Sequence, residues 1–586
     1  MPFPDIPKGP VSPDMSNGGI WLVQHGLNEA IETVEDLRRC MFRGRGLDDA
    51  IVEHFFTPNY DRDIHDPLLF PAMGEALDRI FSALKKGERI LVHGDYDTDG
   101  ITGAALLTTV LQQLGGSVIP FIPHRFEEGY GLNQEVITAL SSEFDLLITV
   151  DCGISNAAEI ASLKKNKKDT IIVDHHELAD GLELPKAQAI LHPRYPTTIY
   201  PFSWLSGAGV AWKLCQALLR DKRANNKDED AEKWLLDFAM LGTVADMVPM
   251  IGENRLITRF GLEVIRRTKR PGLLALIKAA RLQTHEITAE SLSWRVIPLL
   301  NAAGKMEHAQ PALDLLLTKS EAHAQQYIAQ LMQLNTQRRS VTEKIMTEAE
   351  ALVLDTEAPV IFAANTKWPA GVVGLVAGKL ANKYNRPAVV VGGNGRHGVG
   401  SARAPQGVNI LNILKAGRES VLKMGGHARA AGFSVEDENI VAFREAVLAA
   451  SADSAQTSGV PQHAEALINS HLIHWDTLQL QDSFAPFGEG NKKPSFVARS
   501  LQLASWKPVG KQQTHAKCTF LAGDRVLQGI GFSLALKMPA ADSTVDVLFD
   551  LSINEYRGNR SLQLEVRDIA KPDSITIQEY DKSNAA

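Results

Sequence analysis

Short apolar runs alternate with stretches of helical period between Ile90 and Pro193. The runs are rich in Val, Ile and Leu, which is typical of buried strands. In chain order they read ILV, VIPFI, LLITV, TIIV and AIL, and the first two flank the helical stretch ITGAALLTTVLQQL. This strand–helix–strand rhythm predicts a mostly parallel sheet with helices on both faces.

Helical patterns surround this region. Leu27–Phe56 carries apolar residues at helical spacing with charged partners, and helices are expected to dominate Gly207–Thr284. Ser320–Leu354 contains neither Gly nor Pro, which predicts one long helix, exposed on one side, that joins two domains. Residues 1–19 are rich in Pro and Gly and indicate a flexible tail.

A second α/β unit follows the long helix. PVIFAA predicts a strand, VVGLVAGKLANKY a helix and AVVVGG another strand, followed by glycine-rich loops. A patch of small and polar residues at Ser451–Pro461 indicates a boundary. Beyond about Ala485 the chain shows short alternating strands separated by turns, which predicts a small β-barrel.

Composition and charge narrow the class of protein. With 44 % hydrophobic and 22 % charged residues among 586, the chain is expected to be a soluble protein of several domains. No apolar stretch approaches the roughly 18 residues of a membrane helix, and the first residues do not resemble a secretory signal. We therefore expect a cytoplasmic protein with no membrane partner. The net charge of −8 argues mildly against nucleic-acid binding, but clustered metal-binding carboxylates lower the total while a local groove stays basic.

The four cysteines do not indicate a disulfide framework or a zinc ribbon, because they are widely separated and none forms a CxxC pair. They are Cys40, Cys152, Cys215 and Cys518. Reduced thiols are the simplest interpretation.

The segment His93-Gly94-Asp95-Tyr96-Asp97-Thr98-Asp99-Gly100 carries the strongest chemical signal. It lies between a predicted strand and a predicted helix, so three carboxylates and an imidazole share one turn. Carboxylates this close repel one another unless a cation lies among them. Oxygen and imidazole ligands favour manganese or magnesium over a soft metal. The alternative is an Asp/Gly-rich turn in which the carboxylates cap the helix.

Three further clusters follow predicted strands or helices. Asp151 comes directly after an apolar strand, where a helix cap and a metal ligand are both open interpretations. Asp174-His175-His176 leaves the next strand, and a carboxylate such as Asp174 commonly orients a neighbouring ligating imidazole. Asp246 stands in an otherwise apolar stretch, where it needs a cation or a helix end as partner.

In the order HxxxDxD, D, DHH and D, these clusters resemble the DHH phosphoesterases. The resemblance implies two divalent ions, manganese or magnesium, and phosphodiester hydrolysis without a protein nucleophile. It implies a catalytic set of Asp95, Asp174 and His176. It assigns His93, Asp97 and Asp151 to one ion, and Asp99, Asp151, His175 and Asp246 to the other.

Two glycine-rich motifs in the second α/β unit match the domain that binds substrate in this family. Gly398–Arg403 resembles its GSxR motif and Gly425–Gly432 its GGH motif, although each is also what a turn between elements looks like. The residues implied to contact substrate are Ser401, Arg403, Gly426 and His427. Pro369 stands where the family's upstream WHxGVIG segment has His, so no role is carried to that position.

Three segments resemble the RecJ exonuclease branch of the family. Pro123–Gly131 supplies Arg125 for a phosphate and Tyr130 for a base, or else forms a polar loop with a packed Tyr. Asn301 and Lys305 are implied to bind substrate, with Lys305 where relatives carry Arg. Pro486–Asn491 opens the predicted barrel, which resembles the family's oligonucleotide-binding fold. The barrel residues of the type that binds strands are Trp506, Lys507, Lys511, His515 and Lys517.

The predicted fold class is α/β: a DHH-type parallel-sheet domain, joined by a long helix to a smaller DHH-associated α/β domain, with a C-terminal OB-type β-barrel. The predicted boundaries are 1–60 for a tail and helical segment, 61–318 for the catalytic domain, 319–355 for the connecting helix, 356–460 for the substrate-binding domain, 461–575 for the barrel and 576–586 for a tail.

The resemblance implies a 5′-to-3′ exonuclease specific for single-stranded DNA, acting in recombination and repair beside a helicase and a single-strand-binding protein. An alternative is a DHH-family phosphodiesterase of oligonucleotides or cyclic dinucleotides, but such relatives usually lack the barrel. A non-catalytic DNA-binding scaffold is a third interpretation, and the filled ligand positions argue against it.

Overall fold

The computed structural model describes residues 20–125, 127–178, 181, 183–353, 358–393, 395, 397–405, 407–452, 461–556 and 558–580. The predicted tail at residues 1–19 lies outside them, as does most of the boundary patch near 451–461. The N-terminal part forms β1 (Ile20–His25), α1 (Val34–Gly44), α2 (Asp49–Phe56) and α3 (Tyr60–Asp63). The sequence pattern predicts the helices over Leu27–Phe56 but not β1.

A five-stranded parallel sheet forms the centre of the next domain. Its elements are α4 (Met73–Lys86), β2 (Arg89–Gly94), α5 (Thr98–Gln113), β3 (Ser117–Phe121), α6 (Gln134–Ala139), β4 (Leu146–Val150), α7 (Ala157–Lys165), β5 (Asp169–Val173) and β6 (Ala189–Leu191). The strand order is β3-β2-β4-β5-β6. The chain therefore adds β3 on one side of β2 and the later strands on the other side, which makes a switch point between β2 and β4. Ligands bind at such a switch point, outside the carboxyl ends of the strands.

Helices cover the sheet and complete this domain. They are α8 (Gly207–Arg220), α9 (Leu236–Ala245), α10 (Gly252–Ile265), α11 (Pro271–Ala279), α12 (Ala289–Ser291), α13 (Ile297–Met306) and α14 (Gln310–Leu317), with a π-helical segment at Leu292–Val296. α5, α8 and α9 pack against one another. Every residue of α9 but its last is buried, as expected of a helix that is apolar on all sides.

The predicted long helix is α15, Glu321–Leu352. Its 32 residues correspond to about 48 Å at 1.5 Å per residue. Ser320 caps its N-terminus by accepting a hydrogen bond from the His323 amide. α15 packs against α11, α13 and α14 and then against the first helix of the following domain.

The second α/β domain has a mixed sheet. Its elements are β7 (Ile361–Pro369), α16 (Ala370–Tyr384), β8 (Ala388–Gly393), β9 (Gly398–Arg403), α17 (Ile410–Lys415), β10 (Lys423–Gly426), β11 (Ala430–Val435) and α18 (Ile440–Ala452). The order is β10-β11-β9-β8-β7, and only the β7–β8 pair is parallel among these five strands. The two glycine-rich motifs lie on β9 and at the β10–β11 turn.

The C-terminal region contains the predicted barrel. Its elements are β12 (Gln462–Leu467), α19 (Trp475–Ser483), β13 (Phe496–Val509), β14 (His515–Ala522), β15 (Arg525–Gly531), β16 (Ser543–Tyr556), β17 (Asn559–Ala570) and β18 (Thr576–Glu579). The pairings β13–β14–β15–β17–β16–β13 close a five-stranded barrel.

The two ends of the chain meet beside the barrel. β12 extends the sheet from β13, β1 pairs with β12, and β18 pairs with β1. The region predicted as a C-terminal tail therefore includes a strand, and the N-terminal helices pack on α19 and share its apolar core. β1 pairs with partners more than 400 residues away, so local pattern could not place it. No helix among the described residues is long and apolar enough to cross a membrane.

Candidate metal centre and nucleic-acid interface

The first acidic cluster occupies the turn between β2 and α5. Asp97 caps α5, and its Oδ1 accepts hydrogen bonds from the amides of Asp99 at 2.9 Å and Gly100 at 3.3 Å. A Cβ at Gly100 would lie 2.4 to 2.6 Å from backbone atoms of Asp95, so the turn requires glycine there. The capping role and the ligand role predicted for Asp97 are therefore compatible, because capping uses only one oxygen.

Asp99 points into the N-terminus of α8. Its two oxygens accept from the amides of Gly207 at 2.6 Å and Ala208 at 2.9 Å. A helix N-terminus stabilises a negative charge. Even so, burial and the charge of Asp97 raise the pKa of Asp99 to about 7. A further positive charge is needed to keep this carboxylate ionised at neutral pH.

Asp151 follows β4 in a left-handed conformation, with φ at 61°. Its Oδ1 lies 3.1 Å from Nε2 of His175, and this nitrogen is 3.6 Å from Asp246 Oδ2 and 3.9 Å from Asp99 Oδ2. Burial lowers the pKa of His175 to about 3, so the ring is neutral and supplies no balancing charge. Asp151 Oδ1 and His175 Nε2 are both buried, and their 3.1 Å contact lacks the geometry of a hydrogen bond; two ligand atoms of one metal ion are arranged in this way.

Three groups of side chains have their ligand atoms within 4.8 Å of one another in the described part of the chain. They are Asp95–Asp97–Asp151, Asp99–His175–Asp246 and Asp151–His175–His176. Burial and neighbouring carboxylates raise the pKa values of Asp95, Asp151 and Asp246 well above the ordinary range. Asp151 and His175 each belong to two groups, so the groups adjoin one another, and the oxygen-rich donor set suits manganese or magnesium.

Two residues, His93 and Asp95, lie elsewhere than the implied ligand sets predict. His93 stands outside these three groups: its Nδ1 is 3.7 Å from Cys152 Sγ, and burial lowers its pKa to about 4. Asp95, predicted among the catalytic residues, lies among the candidate ligand atoms. The role of His93 as a ligand therefore stays a prediction.

Asp174 organises the loop that carries both histidines. Its Oδ1 accepts from the His175 amide at 2.7 Å and lies 2.8 Å from Nδ1 of His176, while Oδ2 accepts from the Ile154 amide at 3.0 Å. Burial would raise the pKa of Asp174, but the hydrogen bond and charge of the His176 imidazole and the amide hydrogen bonds hold it below its usual range. Burial would lower the pKa of His176, but the bond to Asp174 raises it to about 9. Asp174 thus orients the His176 ring and the His175 backbone.

Tyr130 closes the other side of His176. Its hydroxyl lies 3.0 Å from His176 Nδ1 and donates to the carbonyl of Asp151 at 3.2 Å. Tyr130 is 48 % exposed, so part of the ring remains open to a base.

Arg194 and His192 support the histidine loop from behind, and sequence reasoning missed both. Arg194 donates to the carbonyl of His175, and His192 Nε2 donates to the carbonyl of His176 at 2.8 Å. The guanidinium of Arg194 lies 5.6 Å from the Trp204 ring. The signal that could have found them is their position directly after β6, at the same sheet edge as the ligands.

Four cations converge beside the acidic cluster. Burial lowers the pKa of Lys305 to about 8, and Arg125, Arg338 and Arg403 lower it further by repulsion, whereas Asp97 opposes them. Arg125 lies 4.9 Å over the ring of Tyr96, the residue between the first two acidic positions. Cations gathered in this way favour binding of an anion. The helix α15 supplies Arg338, which sequence reasoning also missed because nothing distinguishes it from other Arg residues on a long helix.

The glycine-rich motifs face this group from the second α/β domain. Arg403 Nη1 donates to Ser401 Oγ at 2.9 Å, so the two residues form one unit on β9. Gly426 has φ at 139°, and a Cβ there would lie 2.4 Å from the carbonyl oxygen of Ala430. His427 Nδ1 is 3.5 Å from Glu177 of the histidine loop, which links the domains across the cleft.

Asn301, predicted to bind substrate, forms hydrogen bonds within the protein. Its Oδ1 accepts from the amide and the hydroxyl of Thr98, both at 2.9 Å. Thr98 opens α5 between Asp97 and Asp99, so Asn301 supports the acidic turn. Only its amide group is left for a substrate.

Three family models match successive regions of this chain. The DHH family N-terminal domain matches residues 89–243, the DHHA1 domain residues 357–453 and the RecJ OB domain residues 464–568. Single-stranded-DNA-specific exonuclease RecJ of Bacillus subtilis (strain 168) is 36 % identical over 538 residues, which cover 90 % of this chain and 67 % of that protein. RecJ of Salmonella typhimurium is 32 % identical, over 84 % of this chain and 89 % of that protein. This chain belongs to the RecJ family.

A solved RecJ structure supports the same assignment. RecJ in complex with Mn²⁺ from Thermus thermophilus matches with a TM-score of 0.79 and 26 % identity, over 95 % of this chain and 80 % of that one. The predicted fold class, with its DHH-type sheet, DHH-associated domain and closed OB barrel, is confirmed. The chain is a metal-dependent exonuclease of the hydrolase class, and the divalent ions inferred from its acidic motifs are those found in RecJ structures.

Replacement of Asp151 tests the charge argument for the metal centre. Asp151→Asn removes one of several mutually repelling buried carboxylates, so the metal-free variant should melt at a higher temperature than the metal-free wild type. Mn²⁺ should raise the melting temperature of the wild type and not of the variant, and turnover should fall by about three orders of magnitude. Differential scanning calorimetry with and without Mn²⁺ measures the melting temperatures, and release of label from a single strand measures turnover.

Asp524→Asn is the matched control, because Asp524 is an exposed carboxylate in the β14–β15 turn. It should behave as the wild type in both experiments. An Asp151→Asn variant that Mn²⁺ still stabilises fully would remove Asp151 from the ligand set.

Proposed function

We propose that this RecJ-family chain releases nucleotides from the 5′ end of single-stranded DNA in recombination and repair. In this proposal two divalent ions are held by His93, Asp97, Asp99, Asp151, His175 and Asp246. The observation that carries this proposal is a group of cations near the acidic cluster: the charges of Arg125, Arg338 and Arg403, together with that of Asp97, act on the buried Lys305. A pocket for a terminal phosphate at a fixed distance from the metal centre makes an enzyme act at strand ends.

The residues divide the work between chemistry and positioning. When bound, a pair of divalent ions activates water and stabilises the attacking and leaving oxygens of the displacement. Asp174 orients His176, whose ring faces the same space as Asp151. Tyr130 holds His176 from the other side and offers an exposed ring face to the terminal base. His93, predicted as a ligand, is retained in the proposal at the buried edge of this centre.

The four cations have one function in this proposal, which is to grip the terminal phosphate. Ser401 lies within the same unit as Arg403, and Gly426 and His427 border the cleft, so both domains contribute contacts. Because α15 carries Arg338 and connects the domains, phosphate binding fixes their separation. A strand without a terminal phosphate loses these charge-assisted contacts.

The barrel supplies a second surface for the strand. Lys507 and Lys517 stand directly opposite each other on β13 and β14, an unfavourable pairing unless an anion binds between them. His515 lies on the same strand face, and its ring is 5.5 Å from that of Phe532, which is 57 % exposed. Trp506 is less accessible, because its Nε1 donates to the carbonyl of Pro539. We propose that this face binds the strand downstream of the cleft, with Lys511 at its edge.

The remaining proposals concern the cell. A single-strand-binding protein and a helicase would supply single strands to a nuclease of this type, and the cytoplasm is the compartment that fits reduced thiols. Support for these partners is family membership alone. Co-purification with each candidate protein, followed by stimulation of nuclease activity, tests them.

The reaction itself is tested with end-labelled substrates. Mononucleotides should be released from the 5′ end of a long single strand with Mn²⁺ or Mg²⁺ and not with chelator, and duplex DNA should resist. Release that begins at the 3′ end would refute the proposed direction. Activity confined to dinucleotides or cyclic dinucleotides would favour the alternative phosphodiesterase.

The phosphate pocket predicts a pH dependence. Lys305 has a pKa of about 8, so it is charged below that pH and neutral above it. Binding of a 5′-phosphorylated strand in chelator should therefore weaken by about tenfold between pH 7 and 9.5, since one charge-assisted contact is lost. The phosphate keeps its charge over this range, so the change is assigned to the protein.

Fluorescence anisotropy of matched strands with 5′-phosphate and 5′-hydroxyl measures the difference at each pH. Lys305→Arg keeps its charge and should make the decline for the phosphorylated strand smaller; the part that remains comes from His176, whose pKa of about 9 lies in the same range. Equal pH profiles for wild type and Lys305→Arg would contradict the role of Lys305.

The barrel face is tested by point substitution, because truncation would also remove the partner of β1. Replacing both Lys507 and Lys517 by Ala should lower the salt slope for long single strands by about 1.4, at roughly 0.7 per phosphate contact. Phe532→Ala should weaken the same binding by about 1–3 kcal/mol through lost stacking. Turnover of a short oligonucleotide should stay unchanged.

Lys227→Ala is the control, because Lys227 is an exposed lysine on the catalytic domain. An unchanged salt slope in the double variant would place the downstream strand elsewhere.

A further inference from the structure

A turn of the C-terminal region lies against the segment that follows Asp246. The turn spans Gly488–Asn491, between α19 and β13. The carbonyl oxygen of Glu489 accepts a hydrogen bond from the Met250 amide at 2.6 Å. A Cβ at Gly488 would lie only 3.0 Å from the Met250 Cβ, so the two segments are in close contact.

The segment after Asp246 needs such support. Asp246 is the C-cap residue that follows α9. Met247 adopts a left-handed conformation with φ at 58°, and α10 begins only at Gly252. From the catalytic side, Asn254 Nδ2 donates to the carbonyl of Pro249 at 3.0 Å. The hydrogen bond from Met250 to Glu489 is a second contact that fixes this segment, and it comes from the C-terminal region.

Arg255 reinforces the same contact from α10. Its guanidinium donates to the carbonyls of Ala485 and Phe55, both at 2.9 Å, and lies 3.6 Å from the Phe55 ring. The residue is 3 % exposed, and its partners among the described residues are carbonyls and a ring, with no carboxylate. Arg255 thus joins the catalytic domain to the start of the turn segment and to α2.

Hydrogen bonds within the C-terminal region also hold the turn in place. Asn491 Nδ2 donates to the carbonyls of Phe484 at 2.9 Å and Pro486 at 2.8 Å. Arg45 donates to Asn491 Oδ1 and pairs with Glu465 at 2.7 Å. The Glu489 carbonyl is therefore fixed relative to the barrel and can hold a neighbouring segment in place.

We infer that the Gly488–Asn491 turn is a positioning element for the carboxylate of Asp246, so that the docked barrel domain sets the affinity of one metal ion. This inference rests on the proposed function, in which Asp246 is a ligand. Displacing the turn would move the Met250 amide and, through the short segment before it, the Asp246 carboxylate. Removal of a group that positions a metal ligand typically weakens metal binding by about 10–100-fold.

Two variants loosen the contact by different means. Gly488→Ala places a methyl group against Met250, and Arg255→Met removes the donors to Ala485 and Phe55. Gly74→Ala is the control: Gly74 is exposed on α4, and a Cβ there meets no described atom within 4 Å. Melting curves establish that each variant folds, and Arg255→Met serves if Gly488→Ala does not.

The readout is Mn²⁺ binding measured directly by calorimetry and by electron paramagnetic resonance of free Mn²⁺. Both loosened variants should bind one of two Mn²⁺ ions about tenfold or more weakly, as expected for a disturbed ligand support, and turnover should recover at high Mn²⁺. Strand affinity in chelator should match that of the wild type and of Gly74→Ala.

Asp246→Asn separates the two levels of failure. If it leaves both Mn²⁺ ions bound with wild-type affinity, the proposed ligand set is wrong. If it removes one ion while Gly488→Ala and Arg255→Met bind Mn²⁺ like the wild type, the positioning inference is overturned and the proposed function stands.

Discussion

Mutual repulsion among buried carboxylates is the constraint on which the rest of this structure depends. Asp95, Asp97, Asp99, Asp151 and Asp246 come from three separate parts of the chain and meet at one site. Burial and their own neighbours raise the pKa values of four of these five groups. Such a cluster is costly to fold without cations, so the surrounding elements are arranged to hold ligands rather than to gain stability.

The fold offsets this cost by directing backbone groups at the acidic side chains. The N-terminus of α8 binds Asp99, and the amides after β5 bind Asp174. Arg194 then holds the carbonyl of His175, so the loop is fixed from both sides. The result is a preorganised set of donor atoms at the switch point of a parallel sheet.

Residues from the connecting helix and from the second α/β domain also line the site. The long helix α15 places Arg338 beside Lys305, and β9 brings Arg403 from the second α/β domain. At the opposite side, the turn containing Glu489 contacts the segment after Asp246. Three regions of the chain thus contact one another around the acidic cluster, so the geometry of the site depends on how the domains pack.

The sequence by itself determined the chemistry of short segments. HGDYDTDG and DHH each concentrate ligand-type side chains at a predicted strand end, and a glycine such as Gly100 is needed where the turn is tightest. The long helix, the strand–helix rhythm and the barrel could be predicted for the same reason: local periodicity reports which side chains share a face. Tertiary structure alone decided the rest. Arg338 came to lie near Lys305, β1 joined a strand more than 400 residues away, and a backbone carbonyl of Glu489 reached the segment after Asp246. These contacts depend on how distant elements pack, and a backbone carbonyl carries no residue type that a sequence pattern could reveal.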